Sequence, residues 1–332
     1  MMKTLPKLIL FNLLFALSVI YLFPAQLKVD LRFALFSNFI GTSDFFKTNP
    51  DVLCTTSVPN FKSFKQKYLD EVLLKNEIVP IAFSDNPPLI ERVKAIVGTY
   101  SKSGGEGCGN YSNDLVENIK WLMKDDGHGC CSDHSQAFVA LCLSNKIFAR
   151  EVHHSKHTFN EYFDDKKQKW IWIDSQCCLL AKDTIANEYL SLIEIREHFE
   201  AKKKIHWEFF GTKANKLSNP EKLTSILNEY YIEQPFDVIL MTLGNNVYEV
   251  NYYNRKLQHL PKEIQQLSLL SVGIQPHYAI FDPKNILKPY FDKIMFALGI
   301  FMTCFITINL CIIFPSLRYR LNGYLYKKRN SL

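Results

Sequence analysis

No C-x-x-C pair occurs among the nine cysteines of this 332-residue chain. The usual spacing of a zinc knuckle and of a thioredoxin-like redox site is therefore missing. The doublets Cys130-Cys131 and Cys177-Cys178, even with His128, His153, His154 and His157 nearby, are poor substitutes, and neither a metal nor a cofactor is expected. There is no internal repeat and no long low-complexity linker, which sets aside repeat arrays and disordered chains. A hydrophobic content of 47% suffices for a substantial core. Acidic residues are absent from both ends outside two apolar runs. Seven of the 39 basic residues sit in those ends (Lys3, Lys7, Arg318, Arg320, Lys327, Lys328, Arg329), leaving 32 against 33 acidic ones, a net charge of −1 for the rest. The overall +6 is thus a charge of the flanks, which speaks against a nucleic-acid footprint.

The two apolar runs are Leu8 to Phe23 and Ile294 to Phe314. The second is long enough to span a bilayer; the first becomes adequate when Pro24 and Ala25 are counted. A cleaved signal peptide is the alternative for the first run, but cleavage after Ala25 would put Phe23 where a small residue is preferred, so an anchor is favoured. With Lys and Arg outside both runs, the positive-inside rule expects both ends in the cytoplasm and residues between the runs on the far side. The basic, tyrosine-rich tail after Pro315 suits a headgroup region.

What is present in quantity is pattern, between Gly127 and Asp174. Gly127 and Gly129 interrupt any preceding helix, and Ala137, Phe138, Leu141 and Cys142 then recur with a period near 3.6, so a helix opens at or just after Cys131. A thiol there meets the positive end of the helix dipole, which favours the thiolate. Further on, His157, Phe159, Glu161 and Phe163 alternate along one strand, and Trp170, Trp172 and Asp174 along the next. A turn centred between Asp165 and Lys166 puts His157 opposite Asp174; a slip of two makes them diagonal neighbours, still within reach. A nucleophile, a base and an orienting carboxylate are the parts of a Cys-His-Asp triad.

These blocks, Gly129-Cys-Cys-Ser-Asp-His134 opening a helix, His157-Thr-Phe-Asn-Glu161 on a strand and Trp170-Ile-Trp-Ile-Asp174 on the next, resemble the transglutaminase-like superfamily of cysteine enzymes. The helix expected from about Thr184 to Lys202, with Tyr189 to Arg196, is similar to one that often follows the core in bacterial members. The resemblance covers roughly residues 88 to 200. It implies an α+β fold with a papain-like core, a nucleophile helix packed on an antiparallel sheet, here flanked by two transmembrane helices. It also implies Cys131 as nucleophile, His157 as general base and acid, and Asp174 as orienting residue. Asn160 and Glu161, beside the histidine, are expected to contact substrate. The doubled cysteine and Ser175, where a proline commonly follows the aspartate, depart from the pattern.

The expected division is a cytoplasmic end (1–7), a membrane helix (8–25), an N-terminal extension (26–87), the core (88–205), a C-terminal extension (206–292), a second membrane helix (293–315) and a basic tail (316–332). In the C-terminal extension, Phe236 to Leu243 and Val247 to Tyr253 read as two strands joined by a tight turn, with further β character at Leu267 to Ile274 and Tyr278 to Phe281. Whether this unit stands alone or edges the same sheet stays open. Cysteines 54, 108, 130, 131, 142, 177 and 178 fall in the extracytoplasmic part. Bridges Cys54 to Cys108, and Cys130 to Cys177 or Cys178, are one expectation; mostly reduced, buried thiols are the other. The function expected is a plasma-membrane enzyme with a periplasmic domain that acts on amide bonds, as a peptidase, amidase or acyltransferase. Its expected partners are a protein or peptide substrate at the outer face, the lipid bilayer, and envelope or polysaccharide-assembly proteins. A non-catalytic scaffold in such an assembly is the alternative, and a thiol-disulfide oxidoreductase a weaker third.

Overall fold

The computed structural model describes residues 10–12, 14–15, 25–40, 64–78, 81, 83, 86–101, 114–124, 127, 129–154, 157–211, 227, 239–243, 252–261, 264–265, 268–269, 278–282 and 284–329. In chain order the elements are α1 (Ala25–Phe36), β1 (Ser37–Ile40), α2 (Phe64–Lys75), α3 (Leu89–Tyr100), α4 (Leu115–Leu122), α5 (Cys131–Ser144), β2 (Ala149–His154), β3 (His157–Asp164), β4 (Lys169–Asp174), β5 (Leu179–Asp183), α6 (Leu192–Glu200), β6 (Ile205–Phe209), β7 (Ile239–Leu243), β8 (Tyr278–Phe281) and α7 (Lys288–Arg329). They form two units: residues 36–285, and residues 1–35 together with 286–332.

The larger unit is mixed helix and sheet, an α+β arrangement around eight strands in the order β1-β8-β7-β2-β3-β4-β5-β6. Every neighbouring pair is antiparallel except β1 and β8, which run parallel. β1 comes from the expected N-terminal extension and β6, β7 and β8 from the C-terminal one, so these segments extend the central sheet and do not form a separate unit. Tyr252 and Tyr253, expected at the end of a strand, are helical. Ser268 and Leu269, also expected to carry β character, are helical, and residues 236–238, 244–251, 267 and 270–274 lie outside the described residues.

Strand alternation sends side chains to two cores. Tyr162, Ile171, Ile173 and Leu180 face Val93, Ile96 and Val97 of α3, Val116 and Ile119 of α4, and α5. Phe159, Trp172, Leu179 and Ala181 face Leu192, Ile193 and Ile195 of α6. α5 is buried on almost every side, from Ala137 to Leu143, which is why its apolar residues wrap the helix and form no narrow stripe. α6 is shorter than expected. Asp183 accepts from the Ile185 and Ala186 amides at 2.6 and 2.8 Å and Asn187 has a φ of +52°, so the chain reverses over residues 184–187 and Tyr189 bridges back to Lys182. The helix begins only after Ser191, whose hydroxyl and the Glu194 carboxylate cap it reciprocally.

One buried ion pair locks β2, β3 and α6 together. Arg150 donates through Nε to Glu161 Oε2 at 2.7 Å and through Nη2 to the same oxygen, while its guanidinium lies 3.9 Å from the Trp170 ring centre. Glu161 Oε1 accepts the Leu192 amide at 2.8 Å, at the first residue of α6.

The smaller unit contains α7, whose 25-residue stretch Lys288–Ile312 includes an 18-residue window with a mean hydropathy of 2.2 and no buried residue. It is the one helix among the described residues long and apolar enough to cross a membrane. Residues 10–12 and 14–15 are helical, and the rest of the first apolar run lies outside the described residues. Phe15 packs on Phe305 with ring centres 4.1 Å apart, and Asn12 donates to Asn309 Oδ1 at 2.9 Å.

Removing Glu161 strands a buried guanidinium, so Glu161→Ala is expected to cost about 3–5 kcal/mol of unfolding free energy. A urea titration of the detergent-solubilised protein measures it. The double variant Arg150→Met, Glu161→Leu should recover most of the loss.

Candidate active site

The loop before α5 is held by close approach. A Cβ on Gly127 would sit 2.0 Å from the Trp121 carbonyl oxygen, and one on Gly129 2.8 Å from Leu122 Cδ2. Only glycine lets the chain turn this tightly off the end of α4. The Cys130 amide donates to Asp133 Oδ2 at 2.9 Å, which fixes the helix start. Cys131 becomes the first residue of α5, half-buried, with its sulfur at the positive helix end.

His157 opens β3 and Asp174 closes β4. The ladder pairs Asn160 with Ile173 and Asp164 with Lys169, so the turn is the four residues Asp165 to Gln168 and the register lies two residues from the direct pairing. The Asp164 carboxylate accepts from the Lys166 and Lys167 amides, and Gln168 takes a φ of +51°. His157 and Asp174 are consequently diagonal neighbours, and the imidazole Nε2 donates to Asp174 Oδ2 at 2.7 Å. The second aspartate oxygen accepts the Cys177 amide at 2.8 Å. With Nε2 engaged, Nδ1 is the ring nitrogen left to face the Cys131 thiol, whose charge His157 and Thr158 lie near enough to favour.

The electrostatics follow from this geometry. Burial pushes the Cys131 thiol up, but the hydrogen bond and charge of His157 and the two Thr158 contacts outweigh it and leave the thiol below its ordinary range. Burial also opposes a charged His157. The Asp174 carboxylate, by charge and hydrogen bond, and Cys131 by the same means, push the imidazole up to about 10. Both shifts favour a thiolate-imidazolium pair.

Sequence reasoning singled out Cys131, His157 and Asp174, and the structure brings these three together. Asn160 and Glu161 do not line a cleft. Glu161 is consumed by Arg150 and the Leu192 amide, and Asn160 is 0% exposed. The Asn160 carboxamide donates to Ser135 Oγ at 2.7 Å and to the Ser135 and Arg150 carbonyls at 3.1 and 3.4 Å, and it accepts the Ser175 hydroxyl at 2.8 Å. Ser135 lies one helical turn after Cys131 and Ser175 directly follows Asp174, so one side chain ties all three reactive segments. A proline at 175 could not make its bond.

Cys130 is disulfide-bonded, whereas Cys131, Cys142, Cys177 and Cys178 are free. This overturns the expected bridge from Cys130 to Cys177 or Cys178; Cys54 and Cys108 lie outside the described residues. It also leaves Cys131 as the one thiol of its doublet. Cys177 was not singled out for the site, yet its sulfur, a His157 nitrogen and an Asp174 oxygen lie within 4.8 Å of one another. That donor set suits a borderline-soft divalent ion, but the same atoms make the His157 to Asp174 hydrogen bond, so an ion would compete with it. Gln176, also missed, donates to the Gly129 carbonyl at 3.4 Å, beside the nucleophile loop.

No family model, curated protein or solved structure matches this chain.

His157 is raised above the ordinary 6.5 in the folded protein, so its contribution to stability is fully present below pH 6.5 and is lost as pH rises through about 10. Thermal unfolding of wild type and His157→Gln across that range checks this, with the variant expected to lack the alkaline loss. Asn160→Ala leaves the Ser175 hydroxyl without its acceptor and Ser135 Oγ without its donor and is expected to cost about 1–3 kcal/mol. It should also slow alkylation of Cys131, followed by mass spectrometry, by loosening its alignment with His157.

Proposed function

We propose that this chain is a membrane-anchored cysteine enzyme that acts on amide bonds of a protein or peptide. The observation that carries the reading is Cys131 at a helix start, electrostatically coupled to His157, whose Nε2 lies 2.7 Å from Asp174 Oδ2. Resemblance of the three sequence blocks to the transglutaminase-like superfamily, and with it to a papain-like core, supports it. The Cys131 thiolate attacks the amide carbonyl, and the negative charge moves to the carbonyl oxygen, where the backbone amide of Cys131 is the first candidate donor. His157 passes its proton to the departing amine as the C–N bond breaks, leaving a thioester and a neutral imidazole. His157 then takes a proton from water, whose oxygen attacks the thioester, and returns it to the sulfur as acid product leaves. An amine in place of water gives crosslinking; family resemblance favours hydrolysis.

The apolar stretch of α7 supports an anchor in the plasma membrane. The Asn12 to Asn309 hydrogen bond supports a second helix beside it, since amide pairs hold helices together in hydrocarbon. With basic flanks in the cytoplasm, the site faces the periplasm, where envelope proteins or polysaccharide-assembly components are the candidate partners. A non-catalytic scaffold is the competing reading, and the near-complete burial of His157 and Asp174 favours it.

Labelling intact, non-reduced vesicles of known sidedness with an amide-mimicking electrophile decides between them. Label is expected on Cys131, only from the outer face, and lost in both Cys131→Ala and His157→Ala. Label that survives His157→Ala supports the scaffold.

A further inference from the structure

The turn that follows β4 brings back more than a backbone amide. Asp174 Oδ1 accepts the Cys177 amide at 2.8 Å, and the strands re-pair at once, with Asp174 opposite Leu179 of β5. The captured amide folds Asp174-Ser-Gln-Cys177 back on itself. The Cys177 sulfur therefore returns to the carboxylate: it, a His157 nitrogen and an Asp174 oxygen lie within 4.8 Å of one another. Two of these donors come from one four-residue turn and the third from the start of β3. All three residues are buried, and Cys177, at 9% exposure, is the least enclosed. Cys177 is in no disulfide, and the reaction proposed for Cys131 makes no use of it.

A buried cysteine is more often a small apolar side chain than a ligand, and Cys177 does border the core of Phe159, Trp172 and Leu179. What sets it apart is the pair it meets. An imidazole nitrogen, a carboxylate oxygen and a thiolate sulfur are the donors that ions of the zinc type take, and three of them leave one position of a tetrahedron open. The two residues between Asp174 and Cys177 match the short loops that separate ligands in such sites. Charge agrees as well. A divalent ion meets one negative charge from Asp174 and one from the Cys177 thiolate beside a neutral imidazole, so the enclosed group is neutral overall, as burial demands. Calcium or magnesium asks for six or more ligands, mainly oxygen, which one carboxylate does not supply.

We propose that His157, Asp174 and Cys177 form an inhibitory site for a divalent ion of the zinc type, whose binding takes the base out of the Cys131 site. The inhibition rests on the reading of Cys131 as nucleophile and His157 as base; the ion site does not. Binding makes bonds from the metal to His157 Nε2, the nitrogen beside Asp174, to an Asp174 oxygen and to Cys177 Sγ, with water in the fourth position. Two protons leave for solvent, one from Nε2 and one from the Cys177 thiol, and nothing is oxidised or reduced. The hydrogen bond from Nε2 to Asp174 is given up. The ring is then neutral, with its one proton on Nδ1. It is a far weaker acid than an imidazolium and has no nitrogen left to accept a second proton, so neither the departing amine nor the incoming water is served.

Cobalt(II), a spectroscopic stand-in for zinc, tests the site on the full-length, detergent-solubilised protein without any reaction at Cys131. One ion per chain is expected, displaced by zinc, with a thiolate-to-cobalt charge-transfer band in wild type and in Cys131→Ala. The band should vanish in Cys177→Ser, and affinity should fall by at least about tenfold in His157→Gln, since loss of even an outer-shell partner has that effect. Should Cys177→Ser misfold, X-ray absorption of zinc-loaded Cys131→Ala reads the same site, with one sulfur expected at about 2.3 Å and nitrogen or oxygen at about 2.0–2.2 Å. A band that survives Cys177→Ser, a band lost in Cys131→Ala, or zinc without a sulfur neighbour overturns the site. Zinc should also slow labelling of Cys131 by an amide-mimicking electrophile roughly a hundredfold, the lower end of what a positioned acid contributes, and a chelator should restore it. Labelling unmoved by bound zinc overturns the inhibition. A Cys131 that labels neither with nor without zinc, while the cobalt band persists in Cys131→Ala, removes the nucleophile and the inhibition with it and leaves the ion site standing.

Discussion

The larger unit depends at its centre on the carboxamide of Asn160. It binds helix α5 through Ser135, strand β2 through the Arg150 carbonyl, and the end of β4 through Ser175. Each contact is a neutral hydrogen bond of modest net worth, but in a site closed to water each lost partner leaves a buried polar group unpaid by solvent. Cys131, His157 and Asp174 come from three different elements, so their alignment is only as good as the clamp between them. Asn160 sits three residues from one of them and bonds to neighbours of the other two.

Two kinds of buried charge lie near this clamp, and they differ in what they can do. Arg150 and Glu161 are enclosed together, with the Leu192 amide and the Trp170 ring filling their remaining directions; the pair sets geometry and has no route to solvent. His157 and Asp174 are equally enclosed, but their ion pair ends on a sulfur that is half-exposed. Glu151 is buried like the others and ends on His153, which is not. The sheet thus separates a structural ion pair from two that end on a surface.

The triad was legible in the sequence because each residue type stood where a helix start or a strand end could present it. The register was less so: Asp164 as a turn-capping carboxylate and Gln168 in the left-handed region lengthen the hairpin turn by two residues, and alternation alone is unchanged by an even shift. Asn160 and Glu161 were read as substrate contacts because they flank His157; their burial depends on α5 and α6, which are distant in sequence. A chain reversal replaced the expected helix start because Asn187 takes a left-handed φ and residues 188–190 return antiparallel along β5, with Tyr189 bridging Lys182, although Ser191 with Glu194 marked the true start. The parallel pairing of β1 with β8 joins segments some 240 residues apart, and no local pattern announces such a partner.

The disulfide at Cys130 gives the doublet a history. In the reduced chain two adjacent thiols would share the helix start. Once Cys130 is bonded, one sulfur is retired to structure and its neighbour is left alone with the imidazole. The disulfide thus does more than brace the loop: it leaves a single free thiol at the helix start, next to the imidazole.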